Sequence, residues 1–227
     1  MFDQIAPRYD LANRLLSFGQ DVLWRKNITQ AIPNESSYDV LDVATGTADV
    51  PLSLVKNKKS IRKVYGIDMS SEMLKVGTRK IAEHSLENKI SLSLGDATDI
   101  PFPDNRFDVV TIAFGIRNIK DTKKALQEMK RVCKPGGSVI ILEFSLPENP
   151  LMRKFYLFYF QKVLPVVAGW ITGKKDAYRY LNSTVMAFPY GREFSSLLQQ
   201  AGFIDIKTST LSWGIASLYQ AHIGHSV

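Results

Sequence analysis

The sequence predicts an α/β fold in which a seven-stranded, mostly parallel sheet carries helices on its faces and an antiparallel strand at one edge. Two patterns indicate this fold. Short apolar, β-favouring runs alternate with helical segments between residues 38 and 144, which is typical of strands joined by crossover helices. Three of these runs contain or end in an aspartate, and the carboxyl ends of parallel strands meet at one edge of a sheet, where such folds bind their ligands.

The predicted elements follow one another in a simple order. Residues 2–32 have apolar residues near helical spacing with a break at 17–19, so we expect helices on both sides of that break. Predicted strands cover residues 38–44, 63–68, 90–94, 107–113 and 138–144, with helices at 50–57, 71–83 and 121–133. A helix at 192–201 and strands at 203–210 and 213–222 complete the sheet with an antiparallel hairpin.

Local signals place several boundaries. Ser70 is suited to cap the N-terminus of the helix 71–83, and Asp49 is suited to cap the helix 50–57 that follows the first strand. Pro135-Gly136-Gly137 should end the helix 121–133. We expect one domain over 1–227, divided into an N-terminal helical lid (1–36), a core (37–146), a helical insertion (147–190) and a C-terminal helix with strands (191–227).

Composition limits the classes of protein. The 227 residues are 45% hydrophobic and 22% charged, which is ordinary for a soluble domain with a proper core. A net charge of +7 suits nucleic acid or an anionic membrane surface. The basic residues are spread along the chain without a long arginine-rich run, so we do not expect a nucleic-acid partner.

Cysteine usage and the N-terminal sequence indicate the cellular compartment in which we expect the protein. Cys133 is the single cysteine, so an internal disulfide is excluded, and the residue is expected to be buried on the inner face of a helix. The N-terminus has no signal-peptide pattern, and the longest apolar run, 163–171, contains a proline and is too short for a bilayer. We expect a cytoplasmic protein whose natural chain begins a few residues before Met1.

Residues 38–49 form the central motif of strand, glycine turn and helix. The dinucleotide fingerprint G-x-G-x-x-G fails here, because Ala44 and Asp49 stand where its first and third glycines would be, and only Gly46 is retained. Asp42, near the end of the strand, would repel a phosphate and attract a cation. S-adenosylmethionine carries a sulfonium and an ammonium, so the charge favours this methyl donor over a dinucleotide, although a tight turn without a ligand remains open.

Two further acids strengthen the interpretation. Asp68 ends the second strand 22 residues after Gly46, the distance at which an acid holds ribose hydroxyls in Rossmann-type sites. Asp96 follows the third strand. Either residue alone is explained by chance, but three acids at one sheet edge predict an adenosine ligand. The ribose is shared by S-adenosylmethionine and NAD, so Asp68 does not choose between them.

The segment 151–188 is rich in aromatic and basic residues. One interpretation is a cap whose aromatic side chains only pack against one another. The other is an apolar acceptor channel that contacts a membrane, since apolar and cationic side chains together favour an anionic lipid surface.

Taken together, these blocks resemble the class I methyltransferases, and closely the C-methyltransferases of menaquinone and ubiquinone biosynthesis. The resemblance covers essentially the whole chain. Its most specific motifs are Phe114-Gly115-Ile116-Arg117-Asn118 and Leu142-Glu143-Phe144-Ser145. Further matching blocks are Phe2-Asp3, Tyr9-Asp10, Ser17-Phe18-Gly19, Trp24-Arg25, residues 41–47, Pro101-Phe102-Pro103-Asp104, residues 134–137 and Tyr178-Arg179-Tyr180-Leu181.

The resemblance implies site residues and a reaction. Arg117, Asn118 and Tyr9 would face a quinol, with Arg117 stabilising its phenolate. The predicted cofactor-binding residues are Asp42, Gly46, Thr47, Asp68, Met69, Asp96, Ala97 and Ala113. Three positions depart from the residue that is frequent in the family. Ala48 stands in place of a glycine, Ala113 in place of a serine and Asp21 in place of a histidine.

The implied activity is methyl transfer from S-adenosylmethionine to a ring carbon of a polyprenylated quinol. We expect demethylmenaquinol as the acceptor, with 2-methoxy-6-polyprenyl-1,4-benzoquinol as the alternative. An O-, N- or RNA methyltransferase and a non-catalytic adenosine-binding module are further alternatives. No metal site is expected, and the three histidines, His84, His222 and His225, are assigned to surface or packing roles. Contact with the inner face of the membrane and a homodimer are left open.

Overall fold

A computed structural model describes residues 6–34, 37–172 and 175–225. Within them, seven strands form one sheet in the order β3-β2-β1-β4-β5-β7-β6. The first five strands pair in parallel, while β7 is antiparallel to both β5 and β6, so the expected antiparallel hairpin is present. The strands are β1 Tyr38–Val43, β2 Ile61–Asp68, β3 Ile90–Leu94, β4 Phe107–Ala113, β5 Cys133–Phe144, β6 Ile204–Leu211 and β7 Ala216–His222.

Helices cover both faces of the sheet. Their bounds are α1 Ala6–Leu16, α2 Gln20–Ala31, α3 Asp49–Asn57, α4 Ser71–Glu83, α5 Thr122–Val132, α6 Pro150–Phe158, α7 Leu164–Thr172, α8 Lys175–Ala187 and α9 Arg192–Gln200. The break between α1 and α2 falls where the sequence predicts it. The expected helical residues 2–5 lie outside the described part of the chain. No helix among the described residues is long and apolar enough to span a bilayer.

Two predicted helix boundaries were tested by the capping geometry. Ser70 caps α4 as expected, since its hydroxyl accepts a hydrogen bond from Met73 N. Asp49 is not a cap, because α3 begins at Asp49 itself and the preceding residue, Ala48, has φ +65° and makes no side-chain cap bond. The Asp49 carboxylate instead pairs with Lys80 and with Arg25, which the helical periodicity could not reveal.

The fifth strand differs from the prediction. It begins at Cys133, five residues before the expected start at Ser138, and α5 ends at Val132 without a glycine cap. Cys133 is therefore buried in a strand rather than on a helix face, and its Sγ lies 3.7 Å from Ser138 O. The longer strand results from a tertiary contact, because Cys133 pairs with Phe107 of β4. Burial also raises the pKa of the Cys133 thiol to about 12.

Hydrogen bonds and ion pairs attach the N-terminal helices to the core. Asp10 of α1 accepts a hydrogen bond from Thr47 Oγ1 at 2.6 Å and pairs with Lys80 Nζ at 2.8 Å. Arg25 of α2 lies 2.6 Å from Asp21 and 3.2 Å from Asp49. These partly buried bonds hold α1 and α2 beside the turn that follows β1.

Of the helices between β5 and α9, α7 packs against α1. One turn of π-helix, Tyr159–Val163, joins α6 to α7 immediately before Pro165, which has no N–H for the helical ladder. Wider π turns of this kind are frequent at functional sites. The residues packed here form a separate apolar cluster that includes Leu16, Met73, Tyr156, Phe160 and Leu164.

Candidate active site

A cavity of about 620 Å³ opens at the carboxyl ends of β1 to β4. It lies where β1 is flanked by β2 on one side and β4 on the other, the position at which open α/β sheets bind ligands. We call it the crevice. Its lining includes Ala44, Gly46, Asp68, Met69, Met73, Gly95, Asp96, Ala97, Thr98, Ala113, Phe114, Gly115, Asn118, Ile119, Lys120 and Asp121. The volume is in the range of small-molecule sites.

The glycine turn positions one acid of the crevice. Gly46 has φ +54°, and no other atom lies within 4 Å of where its Cβ would be. Its N–H donates to Asp68 Oδ2 at 2.8 Å, while Ser70 N donates to Asp68 Oδ1 at 2.8 Å. Two backbone donors thus fix the carboxylate of Asp68 at the end of β2. Gly46 and Asp68 are both among the predicted cofactor-binding residues, but the hydrogen bond between them was not predicted.

Asp96 is held in a similar way at the end of β3. Its Oδ1 accepts from both the backbone N–H and the hydroxyl of Thr98, at 2.8 and 2.9 Å. Asp68 and Asp96 line the crevice together with Asp121, whereas Lys120 is an exposed cation at its rim. The balance of charge is negative, which disfavours a phosphate and favours a cationic ligand.

Asp42 and Thr47 do not take the predicted positions. Asp42 is 1% exposed, and its carboxylate accepts hydrogen bonds from the hydroxyls of Thr45 and Thr111 at 2.7 and 2.6 Å. Burial raises the pKa of Asp42 to about 7. Thr47 is buried and donates to Asp10. Neither residue is among those that line the crevice, so both stabilise the turn after β1 without lining the ligand cavity.

The other predicted cofactor residues all line the crevice: Gly46, Asp68, Met69, Asp96, Ala97 and Ala113. Their chemistry fits S-adenosylmethionine. Carboxylates accept hydrogen bonds from hydroxyls and ammonium groups, and Ala97 and Ile119 provide apolar surface for a base. Among the described residues, no group of histidine, cysteine, aspartate and glutamate is arranged to hold a metal ion.

A second cavity, of about 220 Å³, adjoins the crevice. We call it the aromatic pocket. Its apolar walls come from α1, α2, α6, the π turn, α7, α8 and the ends of β4 and β5. They include Leu16, Phe18, Trp24, Phe114, Phe144, Tyr156, Tyr159, Phe160, Leu164 and Leu181, with the polar residues Asn13, Asp21, Arg25, Arg117 and Asn118. The rings pack on one another, for example Phe114 on Phe144 at 4.5 Å between centroids.

A buried ion pair lies in the wall of the aromatic pocket. Arg117 Nη1 is 2.6 Å from Glu143 Oε1, and the two side chains are 6% and 1% exposed. The same Nη1 donates to Phe114 O at 2.6 Å, and the guanidinium lies over the ring of Phe144. Glu143 was not among the predicted site residues. The available signal was an acid within the otherwise apolar strand β5.

Asn118 and Phe114 line both cavities. They belong to the segment that leaves β4, which contains a short 3₁₀ turn, Ile116–Asn118. A Cβ on Gly115 would lie 2.6 Å from Ala44 Cβ, so glycine lets this segment approach the turn after β1. Arg117 and Asn118 are thus brought together as predicted. Tyr9 belongs to α1, and its side chain lies outside the described part of the chain.

Comparisons with known proteins place the chain in a family. The model of the ubiE/COQ5 methyltransferase family matches residues 1–224. The ubiquinone/menaquinone biosynthesis C-methyltransferase UbiE of Geotalea daltonii is 46% identical over 96% of this chain and 93% of the relative. The demethylmenaquinone methyltransferase of Thermus thermophilus is 42% identical over 99% of both chains.

Solved structures show the same fold at low sequence identity. A putative S-adenosyl-L-methionine-dependent methyltransferase from Methanococcus maripaludis has a TM-score of 0.72 and 18% identity, covering 100% of this chain and 96% of its own. The [4+2]-cyclase SpnF has a TM-score of 0.68 and 15% identity over 90% of this chain and 82% of its own. The fold therefore carries more than one chemistry, and the activity must be argued from the site.

Proposed function

Because this chain belongs to the ubiE/COQ5 methyltransferase family, we propose that it converts demethylmenaquinol to menaquinol. It is an S-adenosylmethionine-dependent C-methyltransferase of quinone biosynthesis. The naphthoquinol is supported by the printed name of the Thermus thermophilus relative, demethylmenaquinone methyltransferase. The benzoquinol of ubiquinone biosynthesis is the second candidate, supported by the double name of the Geotalea daltonii relative.

One observation carries the proposal: Asn118 and Phe114 line both the crevice and the aromatic pocket. A ring held in the aromatic pocket would meet a ligand of the crevice at this shared wall. When bound, S-adenosylmethionine supplies an electrophilic methyl group on a positively charged sulfur. Holding two reactants in a fixed orientation makes a large contribution to the rate of such a transfer.

The ring carbon must be made nucleophilic. A phenolic hydroxyl has an ordinary pKa of about 10, so its ionisation at pH 7 costs about 4 kcal/mol. Arg117 provides a permanent positive charge in the wall of the pocket, and it cannot act as a base because it stays protonated. Its pairing with Glu143 weakens the field on the phenolate but fixes the guanidinium in position.

The walls of the pocket exclude water from the reacting groups. Phe114, Phe144, Trp24 and Phe160 are packed ring on ring, which leaves an apolar site for a naphthalene or benzene ring. In such surroundings the charge of Arg117 acts on a phenolate more strongly than it would in water. Asn118 and Tyr9 are the proposed hydrogen-bond partners of the ring oxygens.

The proposed membrane contact is the exposed surface of α1, the turn after it and α6, which also contribute walls to the aromatic pocket. Its exposed apolar side chains are Leu11, Leu15, Phe18, Leu151, Phe155 and Phe158. Phe18 also lines the pocket, and its ring lies 5.8 Å from that of Tyr159. Lys154 and Lys162 are exposed on the same helical segment. Apolar and cationic side chains together suit an anionic lipid surface, which would place the pocket near a prenyl tail in the bilayer.

The test is the quinone content of cells that lack this protein. We expect them to accumulate the quinone that is short of one ring methyl group, identified by mass spectrometry, and complementation should restore the methylated form. A missing methyl group on a naphthoquinone supports the first candidate, and one on a methoxy-benzoquinone supports the second. An unchanged quinone profile would overturn both. A homodimer and a cytoplasmic location stay predictions, which gel filtration and cell fractionation test.

A further inference from the structure

Three polar atoms of the aromatic pocket are buried and have no hydrogen-bond partner among the described residues. They are Arg117 Nε, Asn118 Oδ1 and the hydroxyl of Tyr156. Unpaired buried polar atoms are rare in native proteins, and each one calls for an explanation such as a bound ligand. Because all three side chains line one mainly apolar pocket, they indicate a ligand with polar groups at more than one position.

The hydrogen-bonding capacities of these atoms describe that ligand. Arg117 Nε can only donate, Asn118 Oδ1 accepts, and a tyrosine hydroxyl does both. A flat ring with hydroxyl groups at opposite positions matches this set, since each hydroxyl can donate and accept. A ligand that is purely apolar would leave all three atoms unpaired.

Tyr156 is the residue without an assigned role. It belongs to α6, it lines the aromatic pocket, and its ring stacks on Phe160 at 5.2 Å and 18°. Unlike Asn118, it does not line the crevice. Burial raises the pKa of its hydroxyl, although the nearby Arg117 opposes the shift. The hydroxyl therefore keeps its proton and is suited to donate rather than to act as a base.

We propose that the Tyr156 hydroxyl donates a hydrogen bond to the quinol oxygen farther from the transferred methyl group. The assignment rests on the proposed function and makes Tyr156 a substrate-contact residue. The acceptor carbon must face the crevice through the wall formed by Asn118, so the oxygen next to that carbon lies on the same side. The oxygen at the opposite ring position then lies on the side away from the crevice, and Tyr156 lines the aromatic pocket but not the crevice.

Tyr159 supplies a matched comparison. It lines the same pocket one turn along, but its hydroxyl already donates to Leu16 O at 2.8 Å. Tyr159→Phe removes a bond within the protein, so this variant should melt at a lower temperature than the wild type. Tyr156→Phe removes a hydroxyl that has no described protein partner while keeping the stack on Phe160, so its melting temperature should not fall.

The decisive experiment compares wild type and Tyr156→Phe on two acceptors. One is a short-chain demethylnaphthoquinol, and the other is the analogue that lacks the hydroxyl farther from the acceptor carbon. We expect Tyr156→Phe to lose about tenfold in kcat/KM on the quinol, as for one hydrogen bond of about 1.4 kcal/mol. On the analogue, wild type and variant should agree within about twofold.

Other outcomes are equally informative. No loss on the quinol, or the same loss on both acceptors, would overturn the contact and leave Tyr156 as a packing residue. If Tyr156→Phe failed to fold, Tyr156→Leu, which also lacks the hydroxyl, would replace it, and a larger loss on the quinol than on the analogue would still support the contact, whereas equal losses would overturn it. Wild type that binds S-adenosylmethionine but methylates neither acceptor would instead contradict the proposed function.

Discussion

The guanidinium of Arg117 and the carboxylate of Glu143 form an ion pair 2.6 Å long that is almost fully buried. Removing one member of such a pair leaves an unpaired buried charge, whereas replacing both by apolar residues is often tolerated. We expect Arg117→Met alone to reduce the free energy of unfolding by about 3–5 kcal/mol. The double variant Arg117→Met/Glu143→Leu should recover most of that stability.

Activity should not follow stability in this pair. The double variant should fold but lacks the cation that we propose to face the quinol, so its turnover should stay low. Denaturant unfolding and methyl transfer, measured on the same preparations, check the two effects. Turnover near the wild-type level in the double variant would show that Arg117 has only a structural role.

The buried carboxyl of Asp42 should make stability depend on pH. Its pKa is raised from an ordinary value of about 4 to about 7, so the folded state binds its proton more tightly than the unfolded chain does. Unfolding then releases a proton between these two values, and the free energy of unfolding falls as pH rises through that window, by at most about 4 kcal/mol.

Asp42→Asn is the matching variant. The amide resembles the protonated acid and cannot ionise, so the difference in stability between variant and wild type should shift in favour of the variant as pH rises from 4 to 7. Thermal unfolding at a series of pH values measures this difference. A constant difference across the window would contradict the assigned burial of the carboxyl.

Asp68 should govern affinity for S-adenosylmethionine. In Asp68→Asn, the backbone N–H of either Gly46 or Ser70 would face the N–H₂ group of the new amide and lose its acceptor. The negative charge of Asp68 in the crevice would also be lost. Hydrogen bonds to charged groups contribute about 1.5–3 kcal/mol, so the Kd should rise roughly 10- to 100-fold by calorimetry. Asp104→Asn, an exposed acid paired with Arg131, is the control and should bind as the wild type does.

The exposed surface of α1, the turn after it and α6 should bind anionic vesicles. Phe155 and Phe158 are 65% and 63% exposed, and each ring would contribute about 1.5–3 kcal/mol on insertion. Phe155→Ser/Phe158→Ser should therefore weaken sedimentation with phosphatidylglycerol vesicles at least tenfold. Ile204→Ser removes an exposed apolar side chain from β6 and should change nothing. If Phe155→Ser/Phe158→Ser bound vesicles as well as Ile204→Ser does, this surface would not be the membrane contact.

The parts of the site set by local order could be predicted from the sequence. Gly46, Asp68 and Asp96 lie at or just after strand ends, and a parallel sheet brings strand ends to one edge. Their place in the crevice therefore follows from the order of the elements. Arg117 and Asn118 also follow a strand, β4, but only the family resemblance predicts that they face the acceptor.

The remaining features depend on contacts between distant residues. Asp42 is near a strand end too, but the hydroxyl of Thr111, 69 residues away, turns its carboxylate into the core. Glu143 is a single acid in an apolar strand, and only the fold shows that Arg117 neutralises it. In the same way, pairing with Phe107 makes Cys133 part of β5, although the following Pro-Gly-Gly is a common helix terminator.

The most direct test of the account is the fate of an isotope-labelled methyl group. Purified protein is mixed with S-adenosylmethionine labelled in that group and with a short-chain demethylnaphthoquinol, and the product is examined by NMR. We predict that the label appears on the ring carbon next to the prenyl chain and that donor and product change in equal amounts. Label on an oxygen, or donor that is bound and never consumed, would contradict it.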